Sequence, residues 1–87
     1  MISSDQIRAA RALLSVNQTK LAEWASISVA TVKRIEATTE IRGAADTLWK
    51  IQRALEEAGV EFIPAEAGRG PGVRLRDVPP SKGRRKR

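Results

Sequence analysis

Apolar residues recur every three or four positions along most of this chain, and they alternate with polar residues near its end. The first pattern predicts helices and the second predicts a β-hairpin. The expected helices run from just after Ser3 or Ser4 to near Ser15-Val16, from Gln18 to Ala25, from Val29 to Ala37, and from Ala44 or Ala45 to Ala58. The apolar stripe of the first helix consists of Ile7, Ala10, Leu13 and Leu14. The expected strands are 60–63 and 73–76, joined by a connection rich in proline and glycine.

The second and third helices form the most regular part of this pattern. Their inward-facing positions, together with one residue between the helices, are Leu21, Ala22, Ala25, Ile27, Val32 and Ile35. Asn17 and Ser28 directly precede the two helices, where each side chain can accept a hydrogen bond from a first-turn amide. Trp24 and Trp49 adjoin apolar stripes, so we expect them to pack at the core or its edge rather than to stack on bases. Two short amphipathic helices joined by a tight turn predict a helix-turn-helix unit.

This unit resembles a known family. The residues that carry the resemblance are Gln18, Leu21-Ala22, Ile27-Ser28, Val32 and Ile35-Glu36. They are similar to the helix-turn-helix of the lambda-repressor-like (Cro/C1, or XRE) transcription regulators. Residues 58–63 and 70–76 resemble a short bacterial subgroup of that family, in which a small hairpin follows the helices. The resemblance extends over residues 5–76.

The resemblance implies a mainly α fold: a lambda-repressor-like bundle of four or so helices, a small β-hairpin and a disordered basic tail. The implied units are a DNA-binding domain over residues 1–59, a dimerisation hairpin over 60–76 and the tail over 77–87. Ser26 departs from the family, which usually places a glycine at this turn. A serine is strained in the left-handed conformation that glycine adopts easily, so we expect a slightly strained turn.

The positive charge of the chain is concentrated at its C-terminal end. The chain has 87 residues and a formal net charge of +6. Residues 1–59 contain eight basic and seven acidic side chains, whereas residues 60–87 contain eight and three. The basic residues of the tail are Lys82, Arg84, Arg85, Lys86 and Arg87. They either contact DNA phosphates or only keep a loose end soluble, and a basic arm beside a helix-turn-helix favours the first interpretation.

The composition excludes several classes of function. Because the chain contains no cysteine and no histidine, it has no disulfide, no thiolate metal site and no histidine for acid–base catalysis. We therefore expect no enzyme activity, no metal, no cofactor and no small-molecule ligand. No apolar stretch approaches the roughly 18 residues that span a bilayer, and the N-terminus lacks the pattern of a signal peptide. The expected protein is prokaryotic and cytoplasmic, without a membrane partner.

The exposed side of the third helix, residues 28–37, carries the residues expected to read DNA in the major groove. Arg34 is the first candidate, because its guanidinium can make a bidentate contact with guanine. The other candidates for base contacts are Lys33, Ala30, Val29 and Thr31. The candidates for phosphate contacts are Asn17, Gln18, Ser28, Arg42 and Lys20. For Gln18 and Arg42 this role follows from the family resemblance.

These residues predict a transcriptional repressor or autorepressor that binds double-stranded DNA. One small domain makes few base contacts, so useful specificity requires a homodimer on a palindromic operator. The half-sites would lie about one helical turn, or roughly 34 Å, apart. The dimer interface would lie on the fourth helix, on the hairpin or on both. The hairpin candidates are Val60, Phe62, Ile63, Val73 and Leu75.

Other interpretations remain open at this stage. Lys33 and Arg34 could be solvated beside Glu36 or Glu40, although we expect Glu36 to hold the third helix to a nearby basic group. The protein could instead be an antitoxin that regulates its own operon and binds a partner protein through its C-terminal part. It could also be a non-specific architectural DNA binder, which would bind any duplex and lose that binding steeply with salt.

Overall fold

A computed structural model describes residues 2–38 and 45–76 of the chain. This part of the chain contains four helices and a two-stranded antiparallel sheet. They are α1 (Ser4–Leu14), α2 (Gln18–Ala25), α3 (Val29–Ala37), α4 (Ala45–Glu57), β1 (Val60–Ile63) and β2 (Gly72–Leu75). The prediction of a mainly helical chain in which a small hairpin follows four helices is confirmed, and the predicted ends of these elements differ by one or two residues at most. None of these described helices is long and apolar enough to cross a lipid bilayer.

The first three helices each begin directly after a capping side chain. Ser3 accepts a hydrogen bond from the amide of Gln6 at 3.1 Å, and the side chain of Gln6 accepts one from the amide of Ser3 at 2.9 Å. This reciprocal pair is a capping box. Asn17 and Ser28 each accept a hydrogen bond from the amide three residues later, at 2.8 and 3.1 Å. The local sequence therefore determines where these helices start.

Residues with a positive φ follow three of the four described helices, α1, α2 and α4, whereas α3 ends at Thr38 in an extended conformation. Ser26, after α2, has a φ of 60°, which confirms the expected strained conformation. Ser15, after α1, has a φ of 58°, although nothing in its sequence context distinguished it. An L side chain costs roughly 1–2 kcal/mol in this region, so both turns are less stable than glycine would make them. Gly59, two residues after the end of α4, has a φ of 113°, a conformation that glycine adopts without steric cost.

The core lies where α2 packs against α3 and α4, and where α1 crosses α3 and α4. The largest fully buried side chains are Ile7, Leu21, Val32, Ile51, Leu55 and Val60. Each fully buried aliphatic side chain of this size contributes roughly 1.5–3 kcal/mol, so this cluster is the main source of stability. Leu13 was expected in the apolar stripe of α1 but is 42% exposed. It is turned roughly 120° from Ile7 around the helix, beyond the edge of the stripe.

The hairpin packs against α1 and α4. Its register pairs Val60 with Leu75 and Ile63 with Gly72. Nε2 of Gln6 donates to the carbonyl oxygens of Ile63, at 3.3 Å, and of Gly72, at 2.9 Å. A side chain from the first turn of α1 therefore holds one end of the hairpin. Because an isolated two-stranded hairpin is only marginally stable in water, these contacts with the helices keep it folded.

Candidate nucleic-acid interface

The helix α3 has one buried face and one exposed face. Val32 and Ile35 point into the core and are 0% and 3% exposed. Ala30, Lys33 and Arg34 lie on the exposed face. Neither Lys33 nor Arg34 forms an ion pair or a side-chain hydrogen bond with any residue in the described part of the chain. Both cations can therefore contact an external partner.

A buried carboxylate anchors the inner side of α3. Glu36 accepts hydrogen bonds from Nε of Arg11 at 2.7 Å, from Nη2 of Arg11 at 2.9 Å and from Nε2 of Gln18 at 3.0 Å. The side chain of Glu36 is 3% exposed and that of Arg11 is 20% exposed. Arg11 also donates to the carbonyl oxygen of Val16 at 3.1 Å. This network joins α1, α2 and α3 on the side of α3 that faces away from Arg34.

The prediction that Glu36 holds α3 to a basic group is confirmed, and the group is Arg11. The alternative in which Glu36 balances the charge of Arg34 does not hold, because both carboxylate oxygens accept from Arg11 and one also accepts from Gln18. Glu40, the other suggested counter-charge, lies outside the described residues. Arg11 was missed because 25 residues separate it from Glu36, and only the crossing of α1 and α3 brings the two together.

The first turn of α3 is partly committed to the fold. The hydroxyl of Ser28 accepts from the amide of Thr31, and the two hydroxyl oxygens lie 2.8 Å apart in a hydrogen bond. Val29 was expected on the exposed side, but it is half-buried and packs against the core. The reason is that Val29 lies one turn before Val32 on the same face of the helix. The outer face of α3 is therefore narrower than the sequence pattern suggested.

The N-terminus of α2 carries the residues that were expected to contact phosphates. Asn17 uses its side chain to cap the helix, and Gln18 donates its amide to the buried carboxylate of α3. Lys20 is exposed and lies 3.2 Å from Glu23 in an ion pair. Arg42 lies outside the described residues. The same holds for the basic residues of the tail, Lys82, Arg84, Arg85, Lys86 and Arg87.

Most of the hairpin side chains that were expected to form a dimer interface are used inside the chain. Val60 is 1% exposed, and Phe62, Val73 and Leu75 are half-buried and pack against the core. The strand register places these four on one face of the hairpin, which the helices cover. Ile63 alternates to the opposite face and is half-buried. These four side chains therefore contact the chain's own helices, and the dimer interface on the hairpin stays a prediction.

Both tryptophans are more exposed than expected. Trp24 is 41% exposed and Trp49 is 57% exposed. The guanidinium carbon of Arg53 lies 5.1 Å from the ring centroid of Trp49, within the range of a cation–π contact. Trp49 follows the buried Leu48 directly and is therefore turned about 100° away from it, toward solvent. Neighbouring an apolar stripe in sequence did not place Trp49 in the core.

Within residues 2–38 and 45–76, no three acidic side chains lie close enough together to hold a metal ion. A comparison with protein-family models and with curated proteins found no match to this chain.

Proposed function

We propose that this protein is a sequence-specific regulator of transcription that binds double-stranded DNA as a homodimer. In this proposal α2 and α3 form a helix-turn-helix of the lambda-repressor-like kind, and α3 enters the major groove. The observation that carries the proposal is that Lys33 and Arg34 lie exposed on one face of α3. Both are exposed and make no ion pair within the described residues, while Glu36 anchors the opposite side of the same helix.

Arg34 is the proposed reader of a base, through a bidentate contact with guanine. Lys33 contacts a guanine or a phosphate, and the small side chain of Ala30 lets the helix approach a thymine methyl group. At the start of α2, the unpaired amides and the positive end of the helix dipole favour a phosphate. Gln18 lies at this position and, in the proposal, sets the register of α3 against the bases.

The proposed output is repression, including repression of the operon that encodes the protein, in the cytoplasm. Two copies on a palindromic operator would place the two α3 helices about one helical turn apart, at roughly 34 Å. The basic tail supplies additional attraction to phosphates that does not depend on sequence. Specificity would then come from α3, and part of the affinity from the tail.

The proposal is tested by selection of binding sites from random duplex DNA. Wild type, Arg34→Ala and Arg69→Ala are compared, because Arg69 is also exposed but lies in the hairpin connection. We expect wild type to enrich a palindromic motif. Arg34→Ala should lose preference at one base pair per half-site, since a bidentate contact contributes about 1–3 kcal/mol of discrimination. Arg69→Ala loses the same charge and should select the wild-type motif.

A variant that stops after Asp77 separates the contribution of the tail, and it should select the same motif with a smaller salt dependence of affinity. If wild type enriched no motif and bound random duplex as tightly as any selected sequence, the regulator proposal would be overturned in favour of non-specific binding. If Arg34→Ala kept the wild-type base preference, Arg34 would not be the reading residue.

A further inference from the structure

We propose that two copies of this chain associate through α4, with Trp49 of each copy inserted into a depression beside Trp24 of the other. This inference deepens the proposed function, and rests on it for its biological setting, because it names the surface that forms the homodimer. The surface concerned is the outer face of α4, which carries Asp46, Trp49, Lys50, Arg53 and Glu57.

The first observation is the exposure of Trp49. Its side chain is 57% exposed on the outer face of α4, and the guanidinium of Arg53 lies 5.1 Å from its ring centroid. A tryptophan can bury 150–250 Å², so leaving it in water forgoes a large hydrophobic contribution. Tryptophan is also the residue type most enriched among those that dominate protein–protein interfaces. Trp49 is therefore a candidate anchor for a contact outside its own chain.

The second observation is an open depression of about 280 Å³ beside the C-terminal end of α4. Its lining residues are Trp24, Ala54, Glu57 and Ala58. The small side chains of the two alanines leave room between Trp24 and the end of α4. Glu57 is joined to Arg53 by a 2.9 Å ion pair, and Arg53 covers Trp49. Trp49 and the depression thus lie on opposite flanks of the outer face of α4, with Arg53 and Glu57 between them.

Their spacing suits a two-fold contact. Eight residues separate Trp49 from Glu57, which corresponds to about 12 Å along a helix. If two α4 helices lie antiparallel around an axis that passes near Arg53, Trp49 of each copy meets the depression of the other. Such an arrangement uses the same surface on both copies and closes at two subunits. A single chain therefore carries both halves of the contact.

The charges of this face favour a second copy over nucleic acid. Its four charged residues are two acids and two bases, Asp46, Lys50, Arg53 and Glu57, and all four are exposed. The face is therefore neutral in a chain whose net charge is +6. Two copies can approach here without the repulsion that their net charges produce elsewhere. A neutral face also offers no net attraction to phosphates, which leaves DNA to the face of α3.

The test measures association without DNA, by sedimentation equilibrium of the full chain over a range of concentrations. Wild type is compared with Trp49→Ala and with Leu13→Ala, which truncates an exposed leucine on α1. Truncation of an interface anchor typically raises a dissociation constant about 30-fold, and the two-fold contact loses two anchors at once. We expect Trp49→Ala to weaken the dimer by at least that factor and Leu13→Ala to leave it unchanged.

A mixing experiment tests the two-fold geometry itself. Ala58→Arg should fill the depression while leaving Trp49 in place, so it should weaken the dimer as Trp49→Ala does. In a mixture, a heterodimer of these variants keeps one intact contact, between the free tryptophan of one copy and the open depression of the other. We expect the mixture to associate more tightly than either variant alone. Far-UV circular dichroism melts establish that each variant is folded, and Glu57→Arg replaces Ala58→Arg if the latter is not.

The outcomes separate this inference from the proposed function. A wild-type chain that stays monomeric up to roughly 0.1 mM, or a dimer that is insensitive to both substitutions, would overturn the α4 contact. Mixed variants that associate no better than the separate ones would overturn the reciprocal insertion. A dimer that depends on Trp49 but selects no DNA motif would support the contact and contradict the regulator proposal. A selected DNA motif, together with a dimer that neither substitution weakens, would support the regulator proposal and overturn the α4 contact.

Discussion

Removing either member of the Arg11–Glu36 pair should weaken the fold, and the two losses should be unequal. Arg11→Met leaves a carboxylate that is 3% exposed, with Gln18 as its remaining side-chain donor in the described part of the chain. An unpaired buried charge typically costs 3–5 kcal/mol, so we expect Arg11→Met to lower the free energy of unfolding by about 3–4 kcal/mol. Glu36→Gln leaves a guanidinium that is 20% exposed and keeps its bond to Val16, so we expect a loss of about 2 kcal/mol.

The double variant distinguishes a coupled pair from two independent contributions. With both charges absent, neither partner is left unpaired, so Arg11→Met with Glu36→Gln should lose about 3–4 kcal/mol rather than the sum of the single losses. The coupling between the two sites would then be about 2 kcal/mol. Urea denaturation followed by circular dichroism measures each value. At a slope of about 1 kcal/mol per molar urea, the midpoint of Arg11→Met should fall by about 3 M.

Total stabilities of small domains are only about 5 kcal/mol at the low end, so all variants should be prepared in the more stable Ser26→Gly background. The matched control is the exposed pair Lys20–Glu23, whose side chains are 49% and 68% exposed. Lys20→Met and Glu23→Gln should each change stability by no more than about 0.5 kcal/mol. If the double variant lost the sum of the two single losses in free energy of unfolding, within about 0.5 kcal/mol, Arg11 and Glu36 would not be coupled.

Three further predictions concern local features of the fold. Ser26→Gly should raise the free energy of unfolding by about 0.5–1 kcal/mol, because glycine adopts a positive φ without strain. Ser3→Gly, at a φ of −102°, should lower the free energy of unfolding. Changes of the same sign in both variants would contradict the strain assigned to Ser26. Gln6→Leu should lower the free energy of unfolding by about 2 kcal/mol, because the Gln6 side chain makes two hydrogen bonds to the hairpin and one to the amide of Ser3. A smaller loss in urea titrations would show that these hydrogen bonds contribute little. The hydrogen bond that Arg74 donates should hold the pKa of Glu61 below its ordinary value of 4.5, so the pair stabilises the fold above that value and the contribution is lost as the pH falls through the lowered pKa. Carbon-detected NMR titration should show the lowered pKa of Glu61 in wild type and a return toward the ordinary value in Arg74→Ala.

The starts of the helices could be predicted because their causes are local. Ser3, Asn17 and Ser28 each lie immediately before a helix and bond an amide three residues later, which is a relation that the sequence displays directly. The left-handed conformation of Ser26 was expected from the family resemblance, because that family usually places a glycine at this turn. Ser15 occupies the same conformation, but no motif distinguished its position from an ordinary end of a helix.

Contacts between distant segments could not be predicted in the same way. Alternation near the end of the chain predicted the hairpin, and its register places Val60, Phe62, Val73 and Leu75 on one face. It did not indicate whether that face is covered by the chain's own helices or by a second copy, because both satisfy the same pattern. Helical periodicity likewise defined the buried stripe of α4 but not the exposure of Trp49 at its border. The spacing of apolar residues therefore predicts which side chains share a face of a helix or strand. It does not predict which other element packs against that face, because this depends on how the elements cross.

The position of Glu36 explains how a helix of nine residues can hold Arg34 in a defined orientation. A helix this short is marginal alone in water, so its position depends on its buried side. Glu36 follows Arg34 by two residues and lies roughly 200° away around the helix, so the anchor does not compete with the exposed face. Because Gln18 bonds the same carboxylate, the start of α2 is joined to the inner side of α3.

This coupling leads to a last expectation for the proposed DNA complex. Gln18→Ala removes the proposed phosphate contact and one donor to Glu36 but leaves both bonds from Arg11 in place. Affinity for a selected operator and for random duplex should therefore fall by similar factors, with the ratio between them preserved. Competition binding at fixed salt measures that ratio for wild type, Gln18→Ala and Arg34→Ala, and only Arg34→Ala should reduce it. A reduced ratio in Gln18→Ala would mean that Gln18 orients Arg34 or contacts a base, and the division between a positioning helix and a reading helix would be wrong.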